Sequence, residues 1–260
     1  MAIRKLLLPL PGPVGGEAAL ATGLMVARLW DAHLSVMHVR VDDQRAQAVR
    51  ALFNGFMATH GVTIGEASPG GGAGLASFAW VSGREADQVV HQARLSDLII
   101  VPHPQAGEDV SSSDMLHAVL FDSGRPVLIA PHVVPPAIGT RICLGWNGTA
   151  ESASAVYVLT PWLKRASAVR ILSAEGYQRR GPAAADLADY LAMHRVAADW
   201  VEFPPIGGVV GAGLLAAAEE FGADLLAMGA YSHSRWRQMI LGGVTRYVLA
   251  NSKLPVIMNR

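Results

Sequence analysis

Ala223-Asp224-Leu225-Leu226-Ala227-Met228-Gly229, residues 223–229, is the stretch on which the reading of this chain turns. An acidic residue leads into a short apolar run that a glycine closes, the pattern of a strand buried on both faces. Roughly 130 residues earlier, about one domain length, Ser96-Asp97-Leu98-Ile99-Ile100 repeats it. Arg125-Pro126-Val127-Leu128-Ile129 and Leu254-Pro255-Val256-Ile257-Met258 are related by nearly the same offset. Solenoid repeats recur every 20 to 50 residues or so, so a period this long signals a duplicated domain.

Working outward, the C-terminal half offers candidate strands at Arg141–Gly145, Ala168–Leu172, Asp199–Phe203, Leu225–Met228 and Val256–Met258. Between them lie segments with one apolar helical face: Ala155, Leu159 and Leu163; Leu187, Tyr190, Leu191 and His194; Val210, Leu214, Ala218 and Phe221. The N-terminal half repeats the order, with strands Lys5–Pro9, His33–Val39, Ala76–Val81, Leu98–Val101 and Val127–Ala130. Its helices are one carrying Leu20, Leu24 and Ala27, then Arg45–Thr59, Arg84–Ala93 and Asp114–Phe121. Parallel neighbours need crossover helices, so each half folds most simply as a doubly wound five-stranded parallel sheet. The expected domains are 1–134 and 139–260, joined through Pro131–Thr140, where Pro135-Pro136 disfavours helix and Gly139 allows a turn. Gly70-Gly71-Gly72 suggests a mobile loop before the third strand of the first domain.

Composition narrows the function classes. The chain of 260 residues is 51% hydrophobic and 16% charged, which is ample for two cores and excludes disorder. Its 21 basic and 21 acidic residues cancel, so no global field recruits nucleic acid or an anionic membrane. Pro9, Pro11 and Pro13 cut short the N-terminal apolar run, and no stretch is apolar for the length of a spanning helix. The compartment expected is the cytoplasm. Cys143 lies in an apolar strand and reads as core. The nine histidines form neither an H-x3-H pair nor H-E-x-x-H, and no metal site is expected. Ser111-Ser112-Ser113-Asp114 reads as a helix N-cap. Trp146, Trp162 and Trp200 read as packing residues, and Trp236 as one that could cover a ligand.

The chemistry concentrates in residues 228–245, from Met228-Gly229 through Ser232, Arg235, Trp236 and Arg237 to Gly242-Gly243-Val244-Thr245. This segment leaves the carboxyl end of a strand and enters a helix, where unpaired N–H groups point at an anion. Glycines at 242 and 243 let a phosphate approach the backbone, and Thr245 can donate a hydroxyl. Glycines there also serve plain strand-to-helix turns.

Residues 224–258 resemble the C-terminal signature of the universal stress protein family, G-x2-G-x9-G-(S/T) followed by a helix and a Pro-Val strand. Gly229 matches the first glycine and Gly242 the third, whereas Ser232 replaces the second and Gly243 the hydroxyl residue. The resemblance implies flavodoxin-like/HUP-type sheets and, in one branch of the family, a loop around the ribose and phosphates of ATP. It implies an adenine-nucleotide site made of Asn147, Ala174, Met228, Gly229, Ser232, Gly242, Gly243, Val244 and Thr245, with Ser173 and Ala174 flanking the adenine. Asn147 stands where the family has an acidic residue, which argues against magnesium. In the first half, Val101-Pro102-His103-Pro104 offers an anion few donors, and that half is read as a structural partner. The resemblance further implies an intramolecular pseudo-dimer through the last strands, with a homodimer or protein partner open. No general base, nucleophile or metal cluster is visible, so at most slow ATP hydrolysis is expected. The alternative is an interaction or dimerisation module of the same family that binds no nucleotide.

Overall fold

The computed structural model describes residues 2–67, 75–103, 114–176, 181–230 and 243–260. Two compact units divide the chain, the second taking over at Pro135. In the N-terminal unit the chain runs through β1 (Lys5–Pro9), α1 (Gly16–Trp30), β2 (His33–Val39), α2 (Asp43–Thr59), β3 (Thr63–Ile64) and β4 (Leu75–Val81). It continues with α3 (Glu85–Ala93), β5 (Leu98–Pro102), α4 (Asp114–Asp122) and β6 (Val127–Ala130). The strands are parallel and ordered β3-β4-β2-β1-β5-β6. The two-residue β3 adds an edge to the five strands expected, and both its residues are exposed.

The C-terminal unit comprises β7 (Arg141–Gly145), α5 (Ala150–Leu163), β8 (Ala168–Ala174), α6 (Ala184–Met193), β9 (Ala198–Phe203), α7 (Val210–Phe221), β10 (Leu225–Gly229), α8 (Gly243–Asn251) and β11 (Val256–Asn259). Its parallel order is β11-β10-β7-β8-β9. The first strand is thus central, the chain steps outward to β8 and β9, and then it reverses across β7 to β10 and β11. That reversal creates a crevice at the carboxyl ends of β7 and β10, where ligands of open α/β sheets bind.

Both units are built on one register. Lys5 pairs with His33 as Arg141 pairs with Ala168. Leu10 N–H donates to the Met37 carbonyl at 2.8 Å, and Trp146 N–H to that of Leu172 at 2.9 Å. The repeated aspartate has a structural use in each. Asp97 Oδ2 accepts from the backbone N–H groups of Arg4 (2.8 Å) and Lys5 (3.0 Å). Asp224 Oδ1 accepts from those of Thr140 and Arg141, both at 3.0 Å. A carboxylate at the head of the fourth long strand therefore satisfies the donors that open the first.

The sheets are filled by the apolar runs and the helices bury their expected stripes, with Leu20, Leu24, Ala27, Ala155, Leu159, Leu163, Leu214 and Ala218 all in the core. Each large aliphatic side chain so buried contributes about 1.5–3 kcal/mol. Two expected faces differ. On α6, Leu187 and Leu191 are buried but Tyr190 is 43% exposed, its ring 4.8 Å from that of His194 in a tilted i,i+4 contact. Trp146 and Trp162 are core residues, whereas Trp200 is 47% exposed because β9 is the edge of its sheet.

Cys143 is fully buried in central strand β7, and burial pushes its thiol up to about 12. Only thiolate is nucleophilic, so at about pH 8 alkylation of native protein should run about a thousandfold slower than for a free thiol. Mass spectrometry of an iodoacetamide time course checks this. Equal labelling rates in native and denatured protein would overturn the assignment.

Candidate functional site

Beyond Gly145, Trp146 is buried and its indole N–H donates to the Pro182 carbonyl at 2.9 Å. Asn147 Oδ1 accepts from the Thr149 backbone N–H at 3.2 Å and from its hydroxyl at 2.9 Å. Thr149 in turn caps α5, its Oγ1 accepting from Ser152 N–H at 3.4 Å. Asn147 is thus the anchor of an Asx-type turn that starts a helix. Gly148 makes this turn with φ +72°, a conformation that favours glycine. Gly181 lies so close against Gly148 that a Cβ on it would run into the Gly148 carbonyl. The residues just before α6, Gly181 and Pro182, therefore lie against the β7–α5 turn.

Gly229 ends β10 beside this turn. A Cβ there would stand 2.6 Å from the Glu151 carbonyl carbon and 2.6 Å from the Ser152 nitrogen, so the first turn of α5 rests directly on the glycine backbone. Ala230 N–H donates to the Asn259 carbonyl at 2.9 Å, and Asn259 Nδ2 donates to Ser154 Oγ at 2.7 Å. The ends of β10 and β11 are thereby fastened to α5.

Of the residues expected at the site, Asn147, Ala174 and Gly229 are half-buried at the carboxyl ends of β7, β8 and β10. Met228 lies one residue inside β10, in register with Gly145 and Met258, and its side chain is buried. α8 starts at Gly243, which is exposed and whose missing Cβ would face open space, and Val244 is half-buried. Thr245 is only 4% exposed. Ser232 and Gly242 lie outside the described residues, as do Arg235, Trp236, Arg237 and the Ser111–Ser113 run.

Sequence reasoning missed Trp146, Gly148, Gly181, Pro182 and Asn259 as parts of this end of the unit. The dipeptide Gly181-Pro182 was the available signal for a turn there. The other notable charges lie near the amino ends of the strands. Arg170 forms a hydrogen-bonded ion pair with Asp199 and holds that carboxyl below its usual range, while Arg170 and Arg141 lie over the Phe221 ring at 4.5 and 4.3 Å. Among the described residues no group of three or more His, Cys, Asp or Glu side chains is placed to hold a metal ion. No helix among them is long and apolar enough to cross a membrane.

The model of the Universal stress protein family matches residues 149–260. Among solved structures, a universal stress protein from Archaeoglobus fulgidus DSM 4304 is similar over 98% of this chain and 98% of its own, at 16% identity and TM-score 0.74. A functionally unknown protein from Pseudomonas aeruginosa PAO1 is similar over 99% and 92%, at 16% identity and TM-score 0.60. A universal stress protein in complex with cAMP covers 51% of this chain and 99% of its own, at 16% identity and TM-score 0.40. A search of the curated proteins finds no match. Residues 149–260 thus match the universal stress protein family model, and the chain as a whole shares the fold of the tandem universal stress protein structure.

Proposed function

We propose that the C-terminal unit binds an adenine nucleotide of the ATP type, and that occupancy of this site gives the protein a regulatory role in the stress response. The observation that carries the reading is the reversal of strand order between β7 and β10, with α8 opening at exposed Gly243 in the chain that follows β10. The helix entrance supplies N–H donors and a positive dipole end for phosphate. Half-buried Ala174 and Asn147 border the place where base and ribose would lie. Magnesium fits poorly, because Asn147 offers an amide oxygen already engaged by Thr149 where a carboxylate would serve better. The named residues include no general base or nucleophile, so the nucleotide is a ligand in this reading and is turned over slowly at most.

A second reading is favoured by Gly229 and Thr245. Gly229 has a packing reason to be glycine, and Thr245 is buried, so both are also at home in an interaction or dimerisation module without nucleotide. The test is to denature purified protein, identify any released nucleotide by mass spectrometry, and titrate ATP calorimetrically into emptied protein. Stoichiometric adenine nucleotide, or one binding site that is lost on Gly242→Asp, supports the first reading. A blank release and a flat titration, with a solution mass above one chain, would establish the second.

A further inference from the structure

Two histidine rings meet at the carboxyl end of the N-terminal sheet. His103 is the first residue after β5 and His132 the second after β6. These strands are neighbours, with Val101 opposite Ile129 and Pro102 opposite Ala130, so the register carried outward sets His103 beside Pro131 and His132 one step further on. The ring centroids are 4.3 Å apart and the planes are tilted by 47°. His103 is half-buried and His132 exposed, and both belong to one compact unit. Elsewhere the rings of His60, His117 and His194 lie against Phe56, Phe121 and Tyr190, whereas here the neighbour of one imidazole is another.

Imidazole nitrogen suits late first-row divalent ions, whereas magnesium and calcium prefer oxygen. The nitrogen lies about 2.0–2.1 Å from such an ion, so two imidazoles bound side by side hold their ring centres about 4.5–5 Å apart. At 4.3 Å the pair stands just inside that span, and a small turn of the exposed His132 ring opens it. A bound histidine uses one ring nitrogen, and the other commonly donates to a carbonyl or carboxylate that fixes the ring. Prolines stiffen the backbone that carries both rings: in the sequence His103 stands between Pro102 and Pro104, and His132 follows Pro131. Ligands held in place beforehand lose less freedom when an ion binds. Among the described residues no third His, Cys, Asp or Glu joins the pair, so water completes the coordination.

We propose that His103 and His132 form a two-histidine site for a late first-row divalent ion such as copper(II), which on binding ties the end of β5 to the chain leaving β6. Sequence spacing gives no sign of such a site, because the two residues meet across neighbouring strands and neither belongs to a local pair such as H-x3-H. The candidate nucleotide site belongs to the second unit, so neither site depends on the other.

The test loads full-length protein with one equivalent of copper(II) and counts the coordinated imidazoles by pulsed electron paramagnetic resonance. Two are expected in the wild type. His132→Gln, at an exposed position, should melt as the wild type does without metal, show one imidazole fewer, and bind copper at least about tenfold more weakly. His103→Gln should weaken binding likewise. Copper bound without imidazole, a two-imidazole signal that survives in His132→Gln, or an affinity that neither substitution changes would overturn the site.

Discussion

Gly229→Val should destabilise the C-terminal unit by about 3 kcal/mol, at the severe end of overpacking changes. The smallest side chain already places a carbon 2.6 Å from two backbone atoms of α5, the Glu151 carbonyl carbon and the Ser152 nitrogen. Flexible side chains can step aside from such a contact, but backbone cannot. Nor is α5 free to slide, because Thr149 caps it, the Asn147 turn holds the cap, and Ser154 is tied to Asn259. Thermal unfolding followed by circular dichroism should show the change as a drop of about 10 °C in Tm. A variant melting within about 2 °C of wild type would mean that α5 does not rest on this glycine. The experiment also separates two uses of one residue, since a glycine kept only for phosphate approach could be replaced with loss of binding and no loss of stability.

Gly243→Asp should have the opposite profile. The added Cβ meets nothing within 4 Å and the residue is exposed at the first position of α8. A carboxylate at a helix N-terminus is favourable by about 0.3–1 kcal/mol, and glycine is a poor helix residue, so Tm should hold or rise slightly. The same charge would sit where the proposed phosphates dock. ATP affinity measured calorimetrically should then fall by about a hundredfold, equivalent to about 2.7 kcal/mol. Unchanged affinity in a fully folded variant would remove α8 from the nucleotide site.

The fold was legible because parallel strands buried on both faces are written as short apolar runs, and the runs repeat. Leu98–Val101 and Leu225–Met228 needed no structure to be paired, and the aspartates before them were visible as a pattern, although not as clamps on the first strands. β3 was illegible for a physical reason: two exposed residues show no periodicity, and their pairing with β4 is dictated by the sheet edge. Spacing alone puts Tyr190 on a buried face, but an aromatic ring with a polar tip can satisfy that spacing on the surface by packing at a tilt against His194.

The site was legible only in outline. Spacing singles out Gly229 as a candidate but gives no hint that α5 presses on it, since that contact joins residues far apart in sequence. Thr245 has a suitable residue type at the helix start, and its burial there is not something spacing shows. Asn147 was weighed as a ligand group, and its oxygen turns out to hold a helix cap. The contacts of Trp146 with Pro182 and of Gly148 with Gly181 were invisible, because they depend on where one loop lies over another.

The aspartate clamps also bear on synthesis. Asp97 is 93 residues beyond the Arg4 amide it holds, and Asp224 is 84 beyond that of Thr140. At about 5–20 residues per second, the ribosome delivers each clamp roughly 5–20 s after the strand it secures. The opening strand of each unit must wait that long for the carboxylate that pairs its first N–H groups, and contacts this non-local fold slowly. Since Asp97 acts within its own unit, the first unit can finish before the second has been translated. The nascent protein then carries one unclamped leading strand at a time.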